Sequence, residues 1–135
     1  MARILIVEDH VLVRRLLWQI LTDARHEVVG EAELGAGALA RFVDLTPEVV
    51  MLGLKPAGSD ELMTLRAMLA IDPSLPVIVC AGSSELETAR QAVRAGAHGF
   101  IVKPFSRDIV LSAVRHALRG ATVPRAVTEL RPQSK

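Results

Sequence analysis

Val49-Val50-Met51-Leu52 is an unbroken apolar run that stops at Gly53, and the turn-forming segment Leu54-Lys55-Pro56-Ala57-Gly58-Ser59-Asp60 follows it. Four consecutive apolar residues bounded in this way predict a strand buried on both faces, the kind found in the middle of a parallel sheet. In an open α/β sheet, the carboxyl ends of the central strands border the crevice where ligands bind. Gly53 takes the central place in that crevice and has no side chain to offer it.

The rest of the chain supplies the partners that such a strand requires. Arg3-Ile4-Leu5-Ile6-Val7 is a short apolar strand that ends in Glu8-Asp9. A helical pattern runs from about Val11 to Ala24, with Val13, Leu16, Leu17, Ile20 and Leu21 on one face. Glu27-Val28-Val29-Gly30-Glu31-Ala32 is a second strand whose weak alternation suits a sheet edge, and a helix from Gly35 to Leu45 closes at Thr46-Pro47. After the central strand, Asp60 is placed to cap a helix over 61–71 that buries Leu62, Leu65 and Leu69 and ends at Asp72-Pro73. Val77-Ile78-Val79-Cys80-Ala81 is the fourth strand. A helix capped by Ser83 or Ser84 runs through Leu86, Ala89 and Val93 to a stop at Gly96. Gly99-Phe100-Ile101-Val102 is the fifth strand and ends at Lys103-Pro104; the last helix starts after Ser106, has core positions Val110, Val114 and Leu118, and stops at Gly120. Strand and helix thus alternate five times with short connections, which predicts an α/β fold: a doubly wound parallel sheet with helices on both faces. Residues 1–120 form one domain, and 121–135, with two prolines and little apolar periodicity, read as a tail or the start of a linker.

Composition narrows the function. Of 135 residues 50% are hydrophobic, yet no apolar run approaches the roughly 20 residues of a membrane span. Cys80 is the single cysteine and lies inside an apolar run, so a disulfide framework is excluded and a reducing cytoplasm is expected. A net charge of +1 gives no reason to expect direct nucleic-acid or membrane binding. His10, His26, His98 and His116 have no metal-ligand spacing and read as turn or surface residues.

Three strand ends converge on the crevice: Glu8-Asp9, Gly53 and Lys103. Two adjacent carboxylates suit a hard cation such as Mg²⁺, and a lysine beside them balances charge or meets a phosphoryl oxygen. A solvated charge cluster is the bland alternative, and spacing alone does not name the ligand.

Ile4-Leu5-Ile6-Val7-Glu8-Asp9-His10, Glu27-Val28-Val29-Gly30-Glu31-Ala32 and Gly96-Ala97-His98-Gly99-Phe100-Ile101-Val102-Lys103-Pro104-Phe105 resemble the CheY-like receiver domain of two-component response regulators, most of all its NarL/FixJ branch. The resemblance covers roughly Ala2 to Arg119. It implies the flavodoxin-like strand order 2-1-3-4-5 and a site in which a strand-three aspartate takes a phosphoryl group from a histidine kinase. Mg²⁺ then lies between that aspartate and the acidic pair, a strand-four Thr or Ser swings to the phosphoryl group, and a strand-five aromatic follows. In this chain the resemblance puts the acidic pair on Glu8 and Asp9, the lysine on Lys103 and the aromatic on Phe100. It puts the phosphoacceptor on Gly53 and the switch hydroxyl on Ala81. Glycine has no carboxylate and alanine no hydroxyl, so both active members of the switch are missing. Ser83 lies two residues beyond the switch position, where a register slip would bring it closer; Pro56 and Ala57 depart from the family's loop, and Glu61 replaces its usual glycine.

The expected function is that of a pseudo-receiver: not an enzyme, with no cofactor beyond weakly held Mg²⁺ on Glu8 and Asp9. It would regulate by phosphorylation-independent contact with a histidine kinase, a phosphotransfer protein or another regulator. Trp18, with Val11, Arg14 and Arg15 at helical spacing, is the candidate anchor, against the alternative of a Trp lying flat on its own helix. Leu111 is out of phase with the last helix's core; receivers use that helix, strand five and the fourth helix to dimerise or signal onward, so self-association belongs to the same expectation. Two other readings stay open. One is the receiver half of a NarL-type DNA-binding regulator. The other is a small nucleotide- or flavin-binding flavodoxin-like protein, disfavoured because Glu8-Asp9-His10 would repel a phosphate where a Gly-rich loop should cradle it.

Overall fold

The structure is a computed structural model that describes residues 1–33, 36–55 and 60–119, without the side chains of residues 36 and 60. The Gly35 start of the second helix, the loop residues Pro56, Ala57, Gly58 and Ser59, the Asp60 cap, the Gly120 stop and the tail 121–135 lie outside what is described. Strands β1 (Arg3–Val7), β2 (Glu27–Ala32), β3 (Val49–Gly53), β4 (Val77–Ala81) and β5 (Gly99–Val102) form one sheet in the order β2-β1-β3-β4-β5. Every pairing is parallel. Helices α1 (Val11–Asp23), α2 (Ala36–Leu45), α3 (Asp60–Ile71), α4 (Leu86–Arg94) and α5 (Arg107–Arg119) are the crossovers.

All five residues of β3 and of β4 are buried, whereas β2 at the edge is exposed or half-buried throughout. The reason is visible in how the two cores divide each strand. Val50 and Leu52 meet Phe42 of α2, Leu65 and Met68 of α3 and Val93 of α4 on one face. Val49 and Met51 meet Leu17 and Leu21 of α1 and Val110 and Val114 of α5 on the other. With apolar cover on both sides, successive residues of the strand are all interior, and the run is continuous instead of alternating. The edge strand also breaks register: Ile4 pairs with Val28 but Leu5 with Gly30.

Several local readings need correction. Leu16 is 45% and Leu118 44% exposed, while Met68 and the Val110, Ala113, Val114, Ala117 stripe are buried. A helical stripe repeats at i, i+3, i+4, i+7, and both leucines fall on its flank. Leu111, expected to be presented to partners, is half-buried and packs against the core with Ile109. Neither Ser83 nor Ser84 caps α4: both lie in a 3-10 turn, Ser83–Glu85, that precedes the helix. There Gly82 donates its N–H to Glu85 Oε1 at 2.8 Å and Ser84 Oγ donates to Glu85 Oε2. Ser106 does start α5, its Oγ accepting from Ile109 N–H at 3.2 Å. Gly96 ends α4 with φ 118°, a left-handed conformation that needs glycine.

The histidines are more engaged than a surface reading implies. His10 caps α1, its Nδ1 accepting from Leu12 N–H at 3.2 Å. His26 Nδ1 accepts from Ala2 N–H at 3.1 Å. His98 buries Nε2 without a hydrogen-bond partner. Burial is the first cause that holds both His26 and His98 below their ordinary value of 6.5. The unfolded chain therefore takes up protons before the folded one as pH falls. Stability that is intact above 6.5 is expected to decline below it, read as a falling Tm, and His98→Asn should flatten that slope. An unchanged slope in the variant would remove His98 from the account.

Candidate functional site

The parallel register brings the ends of β1, β3, β4 and β5 to one edge: Val7 pairs with Leu52, Gly53 with Cys80, and Ala81 with Val102. The residue after β1, Glu8, continues the ladder by donating its N–H to Ala32 O at 2.9 Å. Its side chain turns inward and is 5% exposed. Oε2 accepts from His10 N–H at 3.1 Å, and Oε1 lies 3.3 Å from Lys103 Nζ. The pair is ionic but not a well-formed hydrogen bond, since Oε1 has no partner of hydrogen-bond geometry.

Gly53 explains why the carboxylate can be there. A Cβ built on residue 53 would lie 1.9 Å from Glu8 Oε1 and 2.6 Å from its Cδ. Glu8 thus fills the volume that any side chain at position 53 would enter. Gly53 does not have a positive φ, so the backbone does not require glycine; a side chain there would displace the end of Glu8 from its place beside Lys103.

Asp9 points the other way, with Oδ2 3.1 Å from Lys55 Nζ, in a half-exposed pair. The sequence marks Lys55 only as a lysine two residues past the central strand; its pairing with Asp9 is a product of the fold. Lys55 is tied down further by its backbone, whose N–H donates to Glu61 Oε2 at 2.5 Å. Glu61 is fully buried and leaves Oε1 without a hydrogen bond. Its position as a departure from the family's glycine was legible; its burial under the crevice was not.

Ala81 and Phe100 are both buried. The β4–β5 register runs without a break to Ala81–Val102, so no slip brings Ser83 back to position 81. Ser83 instead lines a cavity of about 520 Å³ with Leu16, Glu85, Lys103 and Phe105. Cys80 behind the site has its thiol pushed up to about 12, by burial first and then by the Glu8 charge, with Lys103 opposing. A thiol in that state is neither nucleophile nor metal ligand.

On α1, Trp18 is 41% exposed, with Val11, Leu12 and Leu16 also exposed. Trp18 lines a groove of about 540 Å³ with Val11, Arg14, Arg15, Gln19 and Glu31. Arg14 is the least available of these: its Nη1 donates to Glu8 O at 2.7 Å and its Nε pairs with Glu31 Oε1 at 3.2 Å. It braces β1 and β2 against α1, while Arg15 is exposed. The structure therefore brings together Glu8, Asp9, Gly53 and Lys103, gathers Trp18, Arg14 and Arg15 on a separate face, and leaves Leu111 with the core.

A 2-1-3-4-5 parallel sheet with an acidic pair and a lysine at its carboxyl edge defines the receiver class of signalling modules. The chain belongs to the family of response regulator receiver domains, which matches residues 4–115. It is 36% identical over 119 residues to the chemotaxis protein CheY of Listeria monocytogenes, covering 88% of this chain and 100% of that one. The receiver domain of NtrX from Brucella abortus superposes with a TM-score of 0.78 at 38% identity, over 86% of this chain and 98% of that one. A longer NtrX chain superposes with a TM-score of 0.79 at 35% identity; this chain covers 30% of its length. Receiver domains are non-catalytic modules of two-component signalling, and they bind Mg²⁺ at the phosphorylation site. The residues present here do not fit that ion. Glu8 is turned into the Gly53 space against Lys103, Asp9 is paired with Lys55, and the described residues hold no group of three or more His, Cys, Asp or Glu able to ligate a metal.

The Glu8–Gly53 contact makes a stability prediction. Gly53→Ala should lose most or all of the about 0.4–1 kcal/mol that reduced unfolded-state freedom would give, because the Glu8 carboxylate must swing away from Lys103 to admit the new methyl. Glu8→Asp withdraws the carboxylate by one methylene, so the same substitution should keep more of that gain in that background. Additive effects in a denaturant double-mutant cycle would show that the two positions do not compete for space.

Proposed function

We propose that this receiver domain acts as a pseudo-receiver, regulating a protein partner by contact without accepting a phosphoryl group. The observation that carries the reading is the Glu8 carboxylate in the space of the residue 53 side chain. A receiver needs an aspartate carboxylate carried by residue 53 there as nucleophile, and the oxygen found in its place belongs to Glu8, which arrives from β1 and is already engaged with Lys103 at 3.3 Å and with His10 N–H. The loss of the hydroxyl at Ala81, with no register slip to restore it, points the same way. The domain reads as 1–120, cytoplasmic and without enzymatic activity. The face offered to the partner is the α1 groove: apolar at Val11 and Trp18, cationic at Arg15. Trp and Arg are the residue types that most often dominate binding energy at interfaces. The partner would be a kinase, a phosphotransfer protein or another regulator.

Of the two other readings, the receiver part of a longer regulator is compatible with the longer NtrX chain, of which this chain covers 30%, just as a stand-alone receiver is compatible with CheY, which it covers in full. A reading frame that continues past Lys135 into a helix-turn-helix would establish the former.

Incubated with acetyl phosphate or a histidine kinase, the protein should gain no phosphoryl mass. A hydroxylamine-labile adduct seen by intact mass would overturn the reading. In pull-downs from the source cell, Trp18→Ala is expected to lose the partner by about tenfold or more, the effect of a hot-spot truncation, while Leu111→Ala retains it. Equal retention by both variants would move the interface off α1.

A further inference from the structure

We infer that Lys55 and Lys103 together replace the divalent cation of this crevice, so that the site carries its own counter-charge. Two carboxylates at the end of β1 repel each other unless a positive charge lies between or beside them. Here each has its own ammonium group. Glu8 Oε1 has Lys103 Nζ at 3.3 Å, and Asp9 Oδ2 has Lys55 Nζ at 3.1 Å. The two lysines come from different strand ends, 55 beyond β3 and 103 beyond β5, and so reach the acidic pair from two directions.

Three features hold this arrangement in place. Gly53 leaves the room that lets Glu8 turn toward Lys103; a side chain there would collide with the carboxylate. Glu61 anchors the Lys55 backbone from beneath, through the Lys55 N–H. His10 N–H holds the second oxygen of Glu8 and fixes the carboxylate plane. An arriving Mg²⁺ would have to break both ion pairs and expel one ammonium from its own coordination space. It would gain two carboxylates from neighbouring residues and nothing from position 53, which is a poor set for an ion that demands near-ideal octahedral oxygen geometry.

The consequence is a crevice whose electrostatic state does not follow the Mg²⁺ concentration. Lys55 and Lys103 tie the ends of β3 and β5 to β1 whatever the Mg²⁺ concentration, where a receiver that holds Mg²⁺ would tie them through the ion. This inference rests on the Lys55 and Lys103 contacts and is separable from phosphoryl acceptance, which rests on position 53.

The test compares wild type, Lys55→Gln and Gly53→Asp in thermal melts with EDTA and with about 10 mM Mg²⁺, enough for a weak oxygen-ligand site. Mn²⁺ broadening of the Glu8 and Asp9 amide signals gives an independent readout on the folded wild type. Wild type should show no Mg²⁺ shift in Tm and no selective broadening. Lys55→Gln should bind Mn²⁺ about two- to fivefold tighter, the scale of one half-exposed charge pair, and should gain a Mg²⁺-dependent rise in Tm. Gly53→Asp, which forces Glu8 out and restores a third carboxylate, should gain the same dependence. If wild type is stabilised by Mg²⁺ as much as Lys55→Gln, or its Glu8 and Asp9 signals broaden equally, the lysines do not stand in for the ion. A wild type that binds Mn²⁺ yet gains no phosphoryl mass would sink this inference and leave the pseudo-receiver reading intact. Phosphoryl transfer to a protein indifferent to Mg²⁺ would do the reverse.

Discussion

The Glu8 side chain, turned into the hollow left by Gly53, is the contact on which the rest of this crevice depends. A carboxylate buried to this degree needs a compensating charge, because leaving it alone in a low-dielectric interior costs far more than pairing it. Lys103 supplies that charge at 3.3 Å and is itself mostly shielded from water. Once Glu8 is committed to Lys103, Asp9 is left to face outward, where Lys55 meets it. Gly53 thus does more than remove a nucleophile. It creates the volume that redirects one acidic residue, and that redirection splits the acidic pair between two lysines.

The pair differs in kind from an ordinary surface salt bridge. Exposed pairs such as Arg90–Glu87 and Arg94–Glu87, at 3.9 and 3.8 Å on the outer side of α4, are worth little because water screens them. The Glu8–Lys103 pair lies at the mouth of two cores and joins β1 to β5 across β3 and β4. Its value is chiefly in specifying one arrangement: breaking one partner would leave the other buried and unpaired. The fold provides this stage without further adjustment, since the parallel register lines up all four strand ends at one edge.

The face carried by α1 is coupled to the same crevice through Arg14. Its guanidinium donates to the Glu8 carbonyl and pairs with Glu31 of β2, so the helix that presents Trp18 and Arg15 is bolted to the residue that fills the Gly53 space. A partner seated on α1 and the charge state of the crevice therefore share one structural member. Under the proposed contact role, this gives the α1 face a fixed geometry to present.

Five strands, five helices, their order and the edge position of β2 were legible in the sequence, because apolar runs, caps and glycine or proline stops are local signals. Ser106, Gly96 and Gly53 each carried their role in the residue type. The juxtaposition of Glu8, Asp9, Gly53 and Lys103 was legible too, since a parallel sheet sends all its carboxyl ends to one edge. Tertiary packing alone decided the rest. Leu16 and Leu118 have core-like chemistry but fall on helix flanks, and Leu111, like Ile109, packs against the core between α1 and α5. Lys55, Glu61 and His98 look like ordinary polar residues until the fold pairs Lys55 with Asp9 and buries Glu61 and the His98 Nε2. Above all, that Glu8 turns inward and Asp9 outward is set by an empty volume at residue 53 and by two lysines, 47 and 95 residues away from Glu8 and 46 from Asp9 along the chain. Charge and space act through three dimensions, and no local pattern encodes which of two adjacent carboxylates they will claim.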